Sequence, residues 1–255
     1  MDQTEQREIS ARVERLLTAQ PAAPPEARRV RRWCDVEATW EEGPRYIGMR
    51  IRVDEEFAEA YRRPGQYVTL KVEGWPARFY VIAARPEDDV WEFLIDCQGE
   101  LGPVLADLEA GSELLVSMPE GVGFDAREAG DKVVTMFCTG SGLATMRPLV
   151  ERWLEPGGAR PSSMSLYYGE RRIGDFAYQA ILDDWTSAGV DVHRSAEQGE
   201  SDEIVHRYVQ HAFDADHPPI DDAFAYVSGA PVMIQIVAEK LLTLGMAPSR
   251  IKVNI

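Results

Sequence analysis

The chain has 255 residues, 45% of them hydrophobic, with 27 Lys and Arg against 43 Asp and Glu, a formal net charge of −16. That length suits two modest domains, and the acidic balance argues against nucleic-acid binding, which depends on neutralising phosphates with cations. No apolar run approaches the roughly 20 residues that span a bilayer, and Met1 to Gln6 lacks the basic and apolar regions of a secretory signal, so no membrane span and a cytoplasmic location are expected. Cys34, Cys97 and Cys138 are odd in number and far apart, which supports neither a disulfide framework nor a cluster site.

Residues 5 to 18 carry Ile9, Val13, Leu16 and Leu17 at helical spacing, and Pro21 to Pro25 ends that segment. The apolar stripe predicts packing on the body of the protein or self-association with another subunit, and the spacing does not choose between them. Arg28, Arg29, Arg31 and Arg32 follow as a basic cluster, read as a solvated face or a dock for an acidic partner.

Short strands are then predicted over 30–40, 46–53, 67–72, 79–84, 90–96 and 113–117, separated by turns such as Gly43-Pro44 and Pro64-Gly65, with a short helix over 101–108. Six closely spaced strands predict an antiparallel barrel. After Asp131 the rhythm changes to strands at 132–138, 164–168, 190–194, 223–228 and 251–254, with helices at 143–154, 175–185, 202–213 and 231–244 between them. That alternation predicts a five-stranded parallel sheet with helices on both faces. The expected organisation is a helix and linker over 1–27, a six-stranded antiparallel barrel over 28–125, and an α/β domain over 126–255.

The stretch Thr139-Gly140-Ser141-Gly142 joins a strand to a helix. Glycines there let the backbone approach a bound group, and helix-start N–H groups favour an anion such as a phosphate. A second turn, Ser228-Gly229-Ala230-Pro231, ends the fourth strand of this half. In a doubly wound sheet both turns would open on one crevice if their strands are neighbours.

The order of motifs resembles the ferredoxin NADP reductase superfamily. Pro64-Gly65-Gln66-Tyr67-Val68 is similar to its P-G-Q-[FY]-[VL] strand opening, and Pro119-Glu120-Gly121-Val122-Gly123-Phe124 to its P-x-G-x-G-F barrel exit. Thr139 to Ala144 is similar to its pyrophosphate turn, Tyr168-Gly169-Glu170-Arg171 with Asp175 and Tyr178 to its Y-G-x-R segment, and Ser228 to Met233 to its C-G-P-P-x-M turn. The resemblance implies a flavoprotein reductase, with NAD(P)H on the second domain reducing FAD on the barrel and electrons leaving to an unidentified acceptor, such as a protein.

It also implies the site residues. Arg78, Phe79, Tyr80 and Val81 fall on the flavin strand R-x-Y-[ST], Arg78 toward the pyrophosphate and Tyr80 against the isoalloxazine, while Val81 lacks the usual hydroxyl. Gly99 to Gly102 falls on the second flavin-phosphate element, G-x-x-[ST], with Gly102 again lacking the hydroxyl; N–H groups of Gly102, Val104 and Leu105 are the remaining donors there. Thr139, Gly140, Ser141, Gly142, Gly229, Ala230 and Met233 would bind the dinucleotide, with Tyr80, Thr139, Gly140 and Ser228 lining the junction of the two rings and Tyr80 and Ser228 as the catalytic pair. Ser228 replaces a common cysteine, and Asn254 and Ile255 replace a common acid and terminal aromatic.

Arg171, Arg172, Arg194 and Ser195 suit a 2′-phosphate and favour NADPH, whereas Glu170 argues for NADH. No carboxylate-histidine spacing around His193 or His217 suggests a metal. The missing hydroxyls leave an alternative, a non-catalytic nucleotide-binding or interaction protein with a decayed reductase site.

Overall fold

A computed structural model describes residues 3–18, 30–199, 201, 204 and 206–254, with the side chains of residues 3–5 left out. The expected Pro-rich linker, Arg28, Arg29 and Ile255 lie outside the described residues. The chain divides into two compact units: α1 (Gln3–Thr18), Ala126–Leu143 and the chain from Trp153 onward form one, and the strands before Asp125 with Ala144–Arg152 form the other.

In the strand-rich unit, β1 (Arg31–Glu41), β2 (Tyr46–Arg52), β3 (Tyr67–Lys71), β4 (Arg78–Val81), β5 (Val90–Asp96) and β6 (Glu113–Ser117) hydrogen-bond in the order β4-β3-β6-β1-β2-β5. Every pairing is antiparallel. One strand serves two partners: Arg31 to Asp35 pairs with β6, Val36 to Glu41 pairs with β2, and the register shifts between Val36 and Ala38. Such a shift bends a strand and lets a sheet curl on itself. The N–H of Ala83, just past β4, donates to the carbonyl of Glu92 in β5 at 2.8 Å, which brings the two ends of the sheet together. Val36, Met49, Ile51, Val68, Leu70, Trp91, Phe93 and Val116 fill the interior.

A helix absent from the sequence reading, α2 (Glu55–Ala60), covers this core with Phe57, whose N–H donates to the carboxylate of Asp54 at 2.9 Å. Its acidic first turn also holds Arg32, 2.9 Å from Glu56 and 3.5 Å from Asp54, so this member of the basic cluster is paired within the chain.

In the other unit β7 (Val133–Thr139), β8 (Ser163–Arg172), β9 (Val190–Gln198), β10 (Ala223–Ser228) and β11 (Ile251–Asn254) form a parallel sheet in the order β11-β10-β7-β8-β9. The chain runs outward from β7 through β8 to β9, then returns to β10 on the other side of β7. That reversal places the switch point between β7 and β10. Helices α4 (Leu143–Leu154), α5 (Gln179–Ser187), α6 (Val209–Asp216) and α7 (Pro231–Thr243) connect the strands. The short α3 (Gly102–Ala106) follows β5 in the first unit.

Two helix starts differ from the sequence reading. α5 begins at Gln179, not 175, because a tight turn over Ile173–Asp175 and a left-handed Tyr178 (φ 54°) precede it. α6 begins at Val209, and residues 206–208 before it are not helical because the Ala196 N–H of β9 donates to the His206 carbonyl at 3.0 Å, extending the sheet edge; the expected start at 202 lies outside the described residues. The N-terminal stripe has its partner within the chain: Ile9 and Val13 are buried in a cluster with Val237, Ala238 and Leu241 of α7, and Leu16 and Leu17 pack against it.

Candidate functional site

In the α/β unit the two glycine turns meet at the switch point. Ser228 pairs in register with Cys138 of β7 on one side and Asn254 of β11 on the other, so the residues just beyond them leave the sheet together. Thr139 stands at the centre. Its hydroxyl oxygen accepts the N–H of Ala230 at 2.9 Å. A Cβ on Gly229 would lie 2.4 Å from that oxygen, one on Gly169 would lie 2.9 Å from the Val209 Cγ1 and 3.1 Å from the Thr139 methyl, and one on Gly142 would lie 2.6 Å from the Ser228 carbonyl oxygen. Three of the motif glycines are therefore required by contact, and Gly229 (φ 134°) also by its backbone conformation. Ser141 and Ala230 are exposed, Gly140 and Gly229 are half-exposed, and Ser228 and Met233 are buried beneath them.

The other dinucleotide candidates divide by burial. Arg171 and Arg172 are exposed at the end of β8, and Arg194 lies 3.3 Å from Asp183. Ser195 is fully buried and presents no surface to a ligand. Glu170 is buried too and accepts the Tyr168 hydroxyl at 2.7 Å, so its carboxylate is engaged inside the unit.

In the barrel, β4 carries the flavin-strand candidates. Tyr80 is half-buried against the core beside Val68, and burial pushes its hydroxyl up to about 12, with Arg78 opposing the shift. Phe79 is 59% exposed and meets Tyr67 edge-on at 5.4 Å. Val81 is half-buried opposite Tyr67. Arg78 donates to the carboxylate of Glu100 at 2.6 Å.

Beyond β5, Gly102 is buried, and a Cβ there would lie 2.1 Å from the Asp96 carbonyl oxygen. No side chain has room at this position. The N–H of Leu105 already donates to the Leu101 carbonyl at 3.0 Å, leaving Gly102 and Val104 of the three expected backbone donors. An aromatic ring beside a guanidinium and a glycine turn still form a donor set suited to a flat anionic nucleotide.

The strand-opening and barrel-exit motifs turn out to be one clasp. The Gln66 side-chain oxygen accepts the N–H groups of Arg62 and Arg63 at 2.7 and 3.0 Å, and its amide donates to the Gly121 carbonyl at 3.2 Å. Tyr67 and Glu120 exchange backbone hydrogen bonds, and the Phe124 N–H donates to the Pro64 carbonyl at 2.7 Å.

Residues 136–239 match the family model described as the oxidoreductase NAD-binding domain. The gamma subunit of sulfhydrogenase 2 from Pyrococcus furiosus is 20% identical over 214 residues, covering 78% of this chain and 74% of that protein. A ferredoxin NADP+ reductase from Neisseria gonorrhoeae, solved with FAD and NADP, superposes with a TM-score of 0.73 at 17% identity over 88% of this chain and 97% of that one. The flavohem-like FAD/NAD binding domain of nitric oxide dioxygenase from Vibrio cholerae gives 0.75 at 18% identity over 87% and 97%. The chain therefore has the two-domain fold of the ferredoxin NADP reductase superfamily.

Within that superfamily fold the chain has its own features. Glu100 was only a spacer in the glycine motif, yet it pairs with Arg78; opposite charges on residues 22 apart carry no sequence signal. Asp191, His193 and Asp216 also come together, with ligand-capable atoms all within 4.8 Å. His193 lies 3.0 Å from Asp191 and 3.7 Å from Asp216, and the Tyr167 ring stacks on it at 4.6 Å while the Tyr167 hydroxyl donates to Asp216. Spacing missed this carboxylate–histidine cluster because Asp216 arrives from α6. Among the described residues no helix is long and apolar enough to cross a membrane.

Proposed function

We propose that the chain is an NAD(P)H-dependent flavoprotein reductase, with the dinucleotide on the α/β unit, FAD on the barrel, and a separate protein as final acceptor. The observation that carries this reading is the packing around Thr139, where Gly142, Gly169 and Gly229 leave no room for a Cβ and two turns end together at the switch point. Backbone stripped of side chains at that place suits a pyrophosphate.

When bound, the flavin supplies the redox chemistry. The chain's own residues position the ligands. The N–H groups of Gly140, Ser141 and Gly142 hold the dinucleotide phosphates, and Ser228 offers a hydroxyl at the nicotinamide end. Arg78 meets the flavin pyrophosphate and Tyr80 presents its ring, with burial raising the phenol pKa further above its ordinary value. Arg171 and Arg194 favour NADPH, and the opposing reading of Glu170 loses force because its carboxylate is taken by Tyr168. Cys34, Cys97 and Cys138 are separate free thiols, so a one-electron relay resides on the acceptor.

The purified protein should show flavin absorbance, bleached faster by NADPH than by NADH. Colourless protein that takes up neither FAD nor FMN would overturn the reading and favour a nucleotide-binding protein without redox activity. Bound flavin that neither nicotinamide reduces would overturn the hydride-transfer part alone.

A further inference from the structure

The Arg78 guanidinium is already engaged. Its Nη2 donates to Glu100 Oε2 at 2.6 Å and its Nη1 reaches the Ala77 carbonyl at 3.4 Å. Glu100 is well placed to hold it. The turn carrying Glu100 is fixed by the Gln98 N–H donating to the Asp96 carboxylate at 2.9 Å, and by Leu101 and Gly102, both buried. The closeness of Gly102 to the Asp96 carbonyl removes the position where a hydroxyl could serve a phosphate. In place of that neutral donor, the turn presents an anion to the cation.

We propose that Glu100 is a specificity-determining residue that competes with flavin phosphate for Arg78, so that a phosphorylated flavin must displace an internal carboxylate to bind. This rests on the reading of β4 as the flavin strand. The pair is partly exposed, 47% at Arg78 and 71% at Glu100, and such pairs are weak. Glu100 is therefore displaceable and sets affinity without blocking the site. Once displaced it remains beside the bound phosphates, where like charge opposes retention. Its effect should follow phosphate charge, strongest for FAD and FMN and absent for riboflavin.

The test is fluorescence titration of the full-length protein with FAD, FMN and riboflavin, comparing wild type, Glu100→Gln, Arg78→Ala and the double variant. Glu100→Gln should bind FAD and FMN roughly two- to tenfold more tightly, with riboflavin unchanged, and the gain should vanish when Arg78 is also replaced. The proposal is overturned if Arg78→Ala weakens FAD while Glu100→Gln leaves it unchanged, or if riboflavin gains as much as FAD. Failure of every variant to bind any flavin would overturn the barrel reading itself, a different outcome from either of these.

Discussion

The hydroxyl oxygen of Thr139 accepts the backbone N–H of Ala230 at 2.9 Å, fastening the end of β7 to the residue before α7. Thr139→Val keeps the methyl against Gly169 but removes the acceptor. It should lower stability by about 0.5–1.5 kcal/mol and weaken NADPH binding, whereas Thr139→Ser should retain most of both. Urea denaturation and dinucleotide titration check the pair.

Gly102→Ser would restore a hydroxyl at the position where the superfamily motif has one, and it should fail to help. Its Cβ would start 2.1 Å from the Asp96 carbonyl oxygen, so the turn must shift. Overpacking of this kind should cost about 1–3 kcal/mol with no gain in FAD affinity, read by urea midpoints and flavin fluorescence.

Val81→Ser should behave in the opposite way. Position 81 is half-buried on an edge strand with no comparable obstruction, so the hydroxyl can be accommodated at a cost of about 1 kcal/mol or less. Stopped-flow reduction of bound flavin by NADPH should accelerate roughly threefold to tenfold, with FAD affinity unchanged.

Alkaline pH should destabilise the protein from about pH 9 upward. Burial raises Cys34 from 9.0 to about 11 and Tyr80 from 10.0 to about 12, and it raises the fully buried Cys138 well above 9.0. In each case the folded state keeps a proton that the unfolded chain releases, so stability falls as pH rises. The Cys34 contribution is lost between 9.0 and about 11 and that of Tyr80 between 10.0 and about 12. Urea midpoints measured from neutral pH upward should show the decline, with a shallower slope in Cys34→Ala.

Gln66→Ala should open the clasp between the strand opening and the barrel exit. It removes three hydrogen bonds, two to backbone N–H groups and one to the Gly121 carbonyl. A loss of about 1–3 kcal/mol is expected. Gln66→Glu keeps both acceptor contacts and should lose less by the same denaturation measurement.

Both sheets follow from features that periodicity and turn chemistry carry, and they were legible for that reason; their strand order was not, because pairing between distant strands leaves no local pattern. α2 was not, because six residues make less than two turns and give no periodic signal; only Asp54 before two glutamates marks its start. The starts of α5 and α6 were set by a left-handed tyrosine and an extended sheet edge, neither encoded locally. The glycine motifs announced close approach without saying what is approached. For Gly142, Gly169 and Gly229 it is a strand end; for Gly102 it is the Asp96 carbonyl, which closes the position expected to serve a phosphate. Arg78 was identified by its strand, but its partner Glu100 comes from another loop and becomes visible only after folding.

The placement of α1 has a consequence for biosynthesis. Ile9 and Val13 are synthesised long before the α7 surface that buries them. While the intervening strands are translated, this stripe is bare and adhesive. The nascent chain thus carries in α1 a segment in need of shielding until α7 arrives, which makes cotranslational chaperone capture of α1 a consequence of the topology.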